Sequence, residues 1–334
     1  KRCDYTARSP LGPNRSINFG SLATPEKMKE LTVPEMVTPY NYEKLKEHAN
    51  KGNIVYICPK KGNLSGRKLK FDLTKHKLFI GDKIGRRVQN NDIVLFNRQP
   101  TLHKQSMLGY LCHFQDKDSI GVHLSSTPGL NADFDGDEGN IHVVQTISAQ
   151  VEARLVMSAT NCIMSSSNSV PVASLVYNSI SGAYLITSDE LVFTEEELND
   201  GLESIYKYTK NDYVRTNYST LSDRLGDLNR LSGKALCSVL FPEDFWYKND
   251  KVIISKGVMR NGRLKKSDVG SGKNSIIQCL WKRYGSQVAS NFISDANFLF
   301  NWYIFKYGFT VGISETMPEE GYKEFTEDKY KILK

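Results

Sequence analysis

The chain has 334 residues, 40% of them hydrophobic, which allows two or three domains, each with a proper core. Lys and Arg outnumber the acids 44 to 37, a net charge of +7 that hints only weakly at a polyanionic partner. The six cysteines (Cys3, Cys58, Cys112, Cys162, Cys237 and Cys279) are scattered with no C-x-x-C pair, so neither zinc nor a disulfide framework is expected in this segment, and a reducing intracellular setting is.

The sequence opens at Lys1 with no charged start leading into an apolar run, so it reads as an internal segment without a signal peptide. Its first 150 residues or so are mainly short strands and loops. "NIVYIC" (53–58), "RKLKFDL" (67–73), "KLFI" (77–80), "DIVLF" (92–96) and "SIGVHL" (119–124) are apolar or alternating runs of strand length, punctuated by Gly, Asn and Pro. The Pro-rich stretch at 24–49 differs, carrying a helical pattern at 42–49, and predicts a small inserted subdomain. Basic residues crowd positions 58–98, with only Asp72, Asp82 and Asp92 against them, which fits either a solvated face or contact with a nucleic-acid backbone.

From Ser148 the period changes. "SAQVEARLVMSA" predicts a helix with Val151, Leu155 and Val156 on one side, and "VASLVYNSISGAYLIT" (172–187) predicts another with small residues at close-packing positions. Thr194 and Glu197 stand at capping-box spacing ahead of a helix, and "FWYKNDKVIIS" predicts a hairpin turning at Asn249-Asp250. Helical periodicity returns at 275–305; the most apolar run, 297–309, is too short and interrupted to span a bilayer and reads as a buried helix.

The chemistry concentrates in "NADFDGDEGN" (131–140). Asp133, Asp135 and Asp137 occupy alternate positions and so point the same way along an extended segment, while Gly136 lets the chain curl around a point in front of them. Three carboxylates this close repel one another and take up protons unless something positive sits between them. Hard oxygen ligands converging on one point suit Mg²⁺, with Mn²⁺ as a substitute. A solvated acidic turn and a Ca²⁺-binding structural loop are competing readings, but an EF-hand fails because Glu138 and Val144 stand where its Gly and Glu belong. "GSGKNS" (270–275) fails as a phosphate loop, since Ser267 and Asn274 replace the required Gly and Ser/Thr. The histidines (His48, His76, His103, His113, His123, His142) form no metal-ligand spacing.

"NADFDGDE" resembles the metal-binding signature of the largest subunit of multisubunit DNA-dependent RNA polymerases. Several further stretches resemble that family in the same order: "KRCDYTARSPLGP" (1–13), "VPEMVTPYN" (33–41), "VLFNRQPTLHKQSMLGY" (94–110), "SSSNSVPVASLVYNSISGAYLIT" (165–187), "SGKALCSVLFP" (232–242) and "GFTVGISET" (308–316). The resemblance is to the eukaryotic, archaeal and large-DNA-virus branch. Gly139 and Val144 depart from the Met and Pro of cellular enzymes and point to a diverged, viral-like member.

The resemblance implies a mixed α+β fold: a double-psi β-barrel active-site domain (1–22 and 85–160), a dock-like insertion (23–84) and a helix-rich mixed pore region (161–334). It implies catalytic and metal-binding roles for Asp133, Asp135 and Asp137 in a two-metal nucleotidyl transfer, with Glu138 in a supporting place. Arg98 and Asn131, with Pro100 shaping the pocket, are implied near the nucleotide sugar, a salt bridge inside the barrel being the competing reading for Arg98. Arg2 and Arg8, with Lys1, are implied on template–product phosphates. The basic residues Arg260, Arg263, Lys265 and Lys266 are read as a patch that guides triphosphates inward, an exposed loop being the competing reading. Implied partners are the second-largest subunit and other polymerase subunits, DNA template, RNA product and nucleoside triphosphates, with no membrane. The implied address is intracellular: the nucleus for a cellular eukaryotic enzyme, the host cytoplasm or virion for a viral one. Two other functions compete: a scaffold or nucleic-acid-binding module without catalysis when isolated, and a metal-dependent nuclease.

Overall fold

The computed structural model describes residues 3–62, 65–209, 212–313, 316–317 and 322. In chain order, β1 (Thr6–Pro13) and β2 (Ser21–Pro25) come first. They are followed by β3 (Thr32–Met36), α1 (Tyr42–Asn50), β4 (Ile54–Cys58), β5 (Leu69–Lys70) and β6 (Lys83–Arg87). These last four strands form a separate antiparallel sheet in the order β3-β6-β4-β5. It closes on α1 over its own small core of Val37, Leu45, Ala49, Ile54, Ile57, Leu78 and Ile84. "RKLKFDL" contributes only the two residues of β5, and "KLFI" is no strand: Phe79 and Ile80 are exposed in a turn that Asp82 organises by accepting from the Phe79 and Lys60 amides. Arg86 ties the inserted sheet to the next strand, its guanidinium lying between Glu35 (2.8 Å) and Asp92 (2.7 Å).

The chain then returns with β7 (Ile93–Asn97), β8 (Met107–Gln115), β9 (Ile120–Val122), α2 (Thr127–Leu130) and β10 (Glu138–Val143). Six strands close into a barrel in the order β1-β10-β7-β8-β2-β9. β1 runs antiparallel to β10 but parallel to β9, and β2 runs parallel to β8 but antiparallel to β9, so the connections cross as a double-psi barrel requires. Alternation sets the facing of β10: Gly139, Ile141 and Val143 are buried, while Glu138, Asn140 and His142 are not. The barrel interior is filled by Leu22, Phe96, Tyr110, Cys112, Ile120, Val122 and Ile141, with Phe96 edge-on to Tyr110.

After the barrel, α3 (Ile147–Leu155) lies on β7 and β8 through Ala153, whose carbonyl comes so close to Gly109 that a β-carbon there would stand 2.5 Å away. The side of α3 expected to be packed faces solvent instead: Ile147, Val151, Leu155 and Val156 are all exposed. The second half follows: α4 (Asn178–Ile186), α5 (Glu195–Thr209), α6 (Asp212–Leu225), α7 (Gly233–Ser238), a three-stranded sheet of β11 (Tyr247–Asn249), β12 (Val252–Ser255) and β13 (Val258–Asn261), then α8 (Lys266–Val269), α9 (Ile276–Tyr284) and α10 (Ser286–Tyr307). Residues 172–177 do not join α4, since the chain makes a tight turn at Tyr177 before the helix begins. The predicted hairpin forms, but Asn249 pairs with Val252, so the turn falls one residue later, at Asp250-Lys251.

The capping box forms as its spacing predicts. The Thr194 hydroxyl accepts from the Glu197 amide (3.2 Å), and Glu197 accepts from the Thr194 amide (2.9 Å). α10 is the spine of this half, buried along most of its length and packed on α4, α5 and α9. The apolar run at 297–309 is buried only in part, with Phe305 exposed in the last turn of α10 and Phe309 exposed just after it. Ser294 on α10 accepts a hydrogen bond from the Phe19 amide (3.0 Å), and one continuous core joins barrel and helices. No helix among the described residues is long and apolar enough to cross a membrane.

Candidate metal centre

The acidic loop sits between α2 and β10. Pro128 stands in the first turn of α2, and Asn131 caps its end in the left-handed conformation (φ 47, ψ 41), which Asn tolerates better than most residues. Ala132 is buried and Phe134 packs against the core, so the intervening aspartates turn outward. Gly136 takes φ +124, and no atom lies within 4 Å of where its β-carbon would be; glycine is needed there for backbone conformation, not for space. The Leu11 amide donates to the Asp137 carbonyl (2.8 Å), fastening the end of the loop to β1.

The result is convergence. Asp133, Asp135 and Asp137 each offer a carboxylate oxygen, and these oxygens lie within 4.8 Å of one another. Asp133 and Asp135 are exposed and Asp137 is half-buried. The set behaves as crowded acids should. A hydrogen bond with Asp135, reinforced by burial and repulsion, raises the Asp133 carboxyl above its ordinary value. Asp137 goes the other way, because the Arg98 guanidinium grips it and the Asp133 amide also donates to it (3.0 Å). An all-carboxylate oxygen set of this spread, open to solvent on one side, fits a hard divalent cation such as Mg²⁺.

Arg98 follows β7 and forms a two-pronged pair with Asp137, Nε to Oδ2 at 2.7 Å and Nη2 to Oδ1 at 2.9 Å, with Nη1 3.4 Å from the Leu130 carbonyl. Asn97 holds the loop that carries it, donating to Thr101 Oγ1 (2.7 Å) and the Ser106 carbonyl (3.0 Å). Pro100 lies exposed on that loop after a cis peptide bond. The resemblance implied Arg98 near the site, with a salt bridge inside the barrel as the competing reading; the structure shows such a bridge, to an acid 39 residues away. Glu138 turns from the triad to Arg8, which it meets at 2.6 Å across the β1–β10 edge, with both side chains well exposed. Lys1 and Arg2 lie outside the described residues.

The four basic residues of the second half differ in their partners. Arg260 donates to the Arg224 and Leu225 carbonyls at the end of α6. Arg263 donates to Ser188 Oγ (2.8 Å) and covers the Tyr184 ring. Lys265 is exposed just ahead of α8. Lys266 alone of the four lines a pocket shared with Asn131. The basic run at 58–98 is likewise partly internal: Arg86 and Arg98 pair with buried or half-buried acids, and the Lys68 ammonium lies on Tyr5 Oη (2.9 Å) and over the Tyr56 ring.

A closed barrel with crossed connections, bearing three convergent aspartates on one loop, belongs to the double-psi class in a mixed α+β chain. The family models described as RNA polymerase Rpb1, domain 2 and RNA polymerase Rpb1, domain 3 match residues 1–159 and 162–316. The chain belongs to the family of largest subunits of DNA-directed RNA polymerases. It is 31% identical to DNA-directed RNA polymerase subunit 1 of Acanthamoeba polyphaga mimivirus, over 98% of this chain and 22% of that protein. It is 29% identical to subunit Rpo1N of Thermococcus celer, over 96% of this chain and 39% of the relative. With a probable RNA polymerase II subunit RPB1 homolog of Invertebrate iridescent virus 6 the figures are 26%, 96% and 40%. The chain therefore spans well under half the length of the relatives it matches.

Proposed function

We propose that this chain is the catalytic core segment of a DNA-dependent RNA polymerase largest subunit, carrying template-directed transfer of nucleotides to an RNA 3′ end. The convergence of three carboxylate oxygens within 4.8 Å on the loop between α2 and β10 carries the reading. Asp133, Asp135 and Asp137 would hold Mg²⁺, or Mn²⁺ in its place. Bound divalent ions supply a lowered pKa for the attacking hydroxyl and charge stabilisation for the triphosphate and leaving pyrophosphate.

The residues of the chain do the positioning. Crowding leaves Asp133 eager for a positive partner, while Arg98 keeps Asp137 ionised and fixed in direction. Arg98 has a hydrogen-bond capacity beyond its two bonds to Asp137, and Asn131 offers an amide, so a ribose hydroxyl in front of the loop would find a donor or acceptor; losing such a bond discriminates against deoxyribose. Arg8, with Lys1 and Arg2, would meet template–product phosphates, and Lys266 the incoming triphosphate. In this reading residues 1–22 and 85–160 are the active-site barrel, 23–84 the dock-like insertion and 161–334 the pore region. The second-largest subunit would supply an acid for a second ion.

The test is Asp135→Ala in the assembled polymerase. RNA extension should fall by several orders of magnitude while subunit assembly stays intact, and Mn²⁺ binding followed by electron paramagnetic resonance should weaken in parallel. Retained extension would refute the reading.

A further inference from the structure

Between the acidic loop and the second half of the chain lies an open pocket of about 410 Å³, whose lining includes Pro128, Asn131, Tyr177, Ile180, Lys266 and Ser271. Three of these carry groups that no described residue engages. Among the described residues the Asn131 amide, the Tyr177 ring and hydroxyl, and the Lys266 ammonium make no side-chain hydrogen bond, ring contact or ion pair.

Tyr177 is held there against its backbone preference. The Ser179 amide donates to the Val176 carbonyl (3.3 Å), and Tyr177 stands at φ 52, ψ −129. That is the first central position of a type II′ turn, which favours glycine because φ is positive. A bulky residue with φ above zero is an outlier, and such outliers gather where a site needs them. Core packing does not account for it, since Tyr177 is 62% exposed.

We propose that Tyr177 is a positioning residue for the nucleotide, its ring stacking on the base while Lys266 meets phosphate and Asn131 the sugar. The proposal rests on the polymerase reading above and deepens it by assigning the base contact. One cation, one aromatic face and one amide match the three parts of a nucleoside triphosphate, and the pocket is of ligand size. Stacking is tolerant of base identity because every base has a π-face, which suits a site that must admit four nucleotides in turn.

The experiment compares Tyr177→Gly and Tyr177→Phe in the assembled polymerase, measuring KM and kcat for each nucleoside triphosphate and inhibition by inorganic tripolyphosphate, which has no base. Tyr177→Gly removes the ring while supplying the residue the turn favours, so loss of folding does not confound it. KM should rise about tenfold for all four nucleotides, with kcat changed by less than about twofold, and Tyr177→Phe should restore it. Tripolyphosphate should inhibit the Gly variant as well as it inhibits the parent, yet inhibit Lys266→Ala less. A wild-type KM in Tyr177→Gly overturns the proposal, as does a fall in kcat with KM unmoved. Asp135→Ala runs alongside: if it still extends RNA, the polymerase reading fails, whereas if it does not and Tyr177→Gly keeps its KM, only the Tyr177 assignment fails.

Discussion

Gly139 is the point where barrel packing and the candidate site are most tightly joined, and Gly139→Ala tests that joint. A β-carbon there would lie 2.4 Å from Phe96 Cε2, 2.5 Å from Cζ and 2.8 Å from Leu11 Cδ2. Ordinary contact begins at 3.4 Å, so β10 and Phe96 would have to part by about 1 Å. Phe96 has nowhere to go: it is fully buried, with its ring centroid 5.8 Å from that of Tyr110. Overpacking of this kind costs about 1–3 kcal/mol, and methionine, the residue that cellular relatives are expected to carry here, is larger still. The strain is delivered to the site, because Gly139 lies two residues after Asp137 and Phe96 two residues before Arg98. In urea unfolding the midpoint should fall with an unchanged slope. Adding Phe96→Leu should recover part of the loss, giving a coupling energy of about 1 kcal/mol or more. A wild-type midpoint in Gly139→Ala, or strictly additive effects in the double variant, would refute this account of the packing.

Three further outcomes are expected. His123 is wholly buried, accepts from the Ser125 amide (3.1 Å) and has its pKa pushed down to about 4 by that burial. The unfolded chain takes up this proton near pH 6.5 and the native protein only near 4, so stability should drop by about 3 kcal/mol as pH falls through that window; in His123→Gln, unfolding midpoints at pH 7, 5 and 4 should show a shallower decline. Arg98→Ala, in chelator, should move the Asp137 carboxyl upward in an NMR titration. Because Asp137 is depressed in the native state, its pair with Arg98 contributes above the unfolded carboxylate pKa and is lost on acidification, so a stability difference of about 1 kcal/mol from the parent at neutral pH should vanish in acid. Thr194→Ala should remove the α5 cap, costing about 1 kcal/mol and speeding amide exchange in the first turn of that helix only.

Local pattern made several features readable from the sequence alone. The Thr194–Glu197 spacing, the long periodic run of α9 and α10, and aspartates at every second position all act over a few residues, where backbone geometry fixes which way side chains point. What covers a face is another matter. Period 3.6 marked Val151, Leu155 and Val156 as one side of α3, but Ala153 and Gly109 permit a closer backbone approach and the apolar side was left in solvent. "KLFI" has strand composition without a neighbouring strand to complete its hydrogen bonds, so Asp82 makes it a turn. Only the fold could join Arg98 to Asp137, or bring Asn131, Tyr177 and Lys266 to one pocket. Each contact depends on crossed strand connections and the shared core, and interactions between residues so far apart in the chain leave no periodic trace in it.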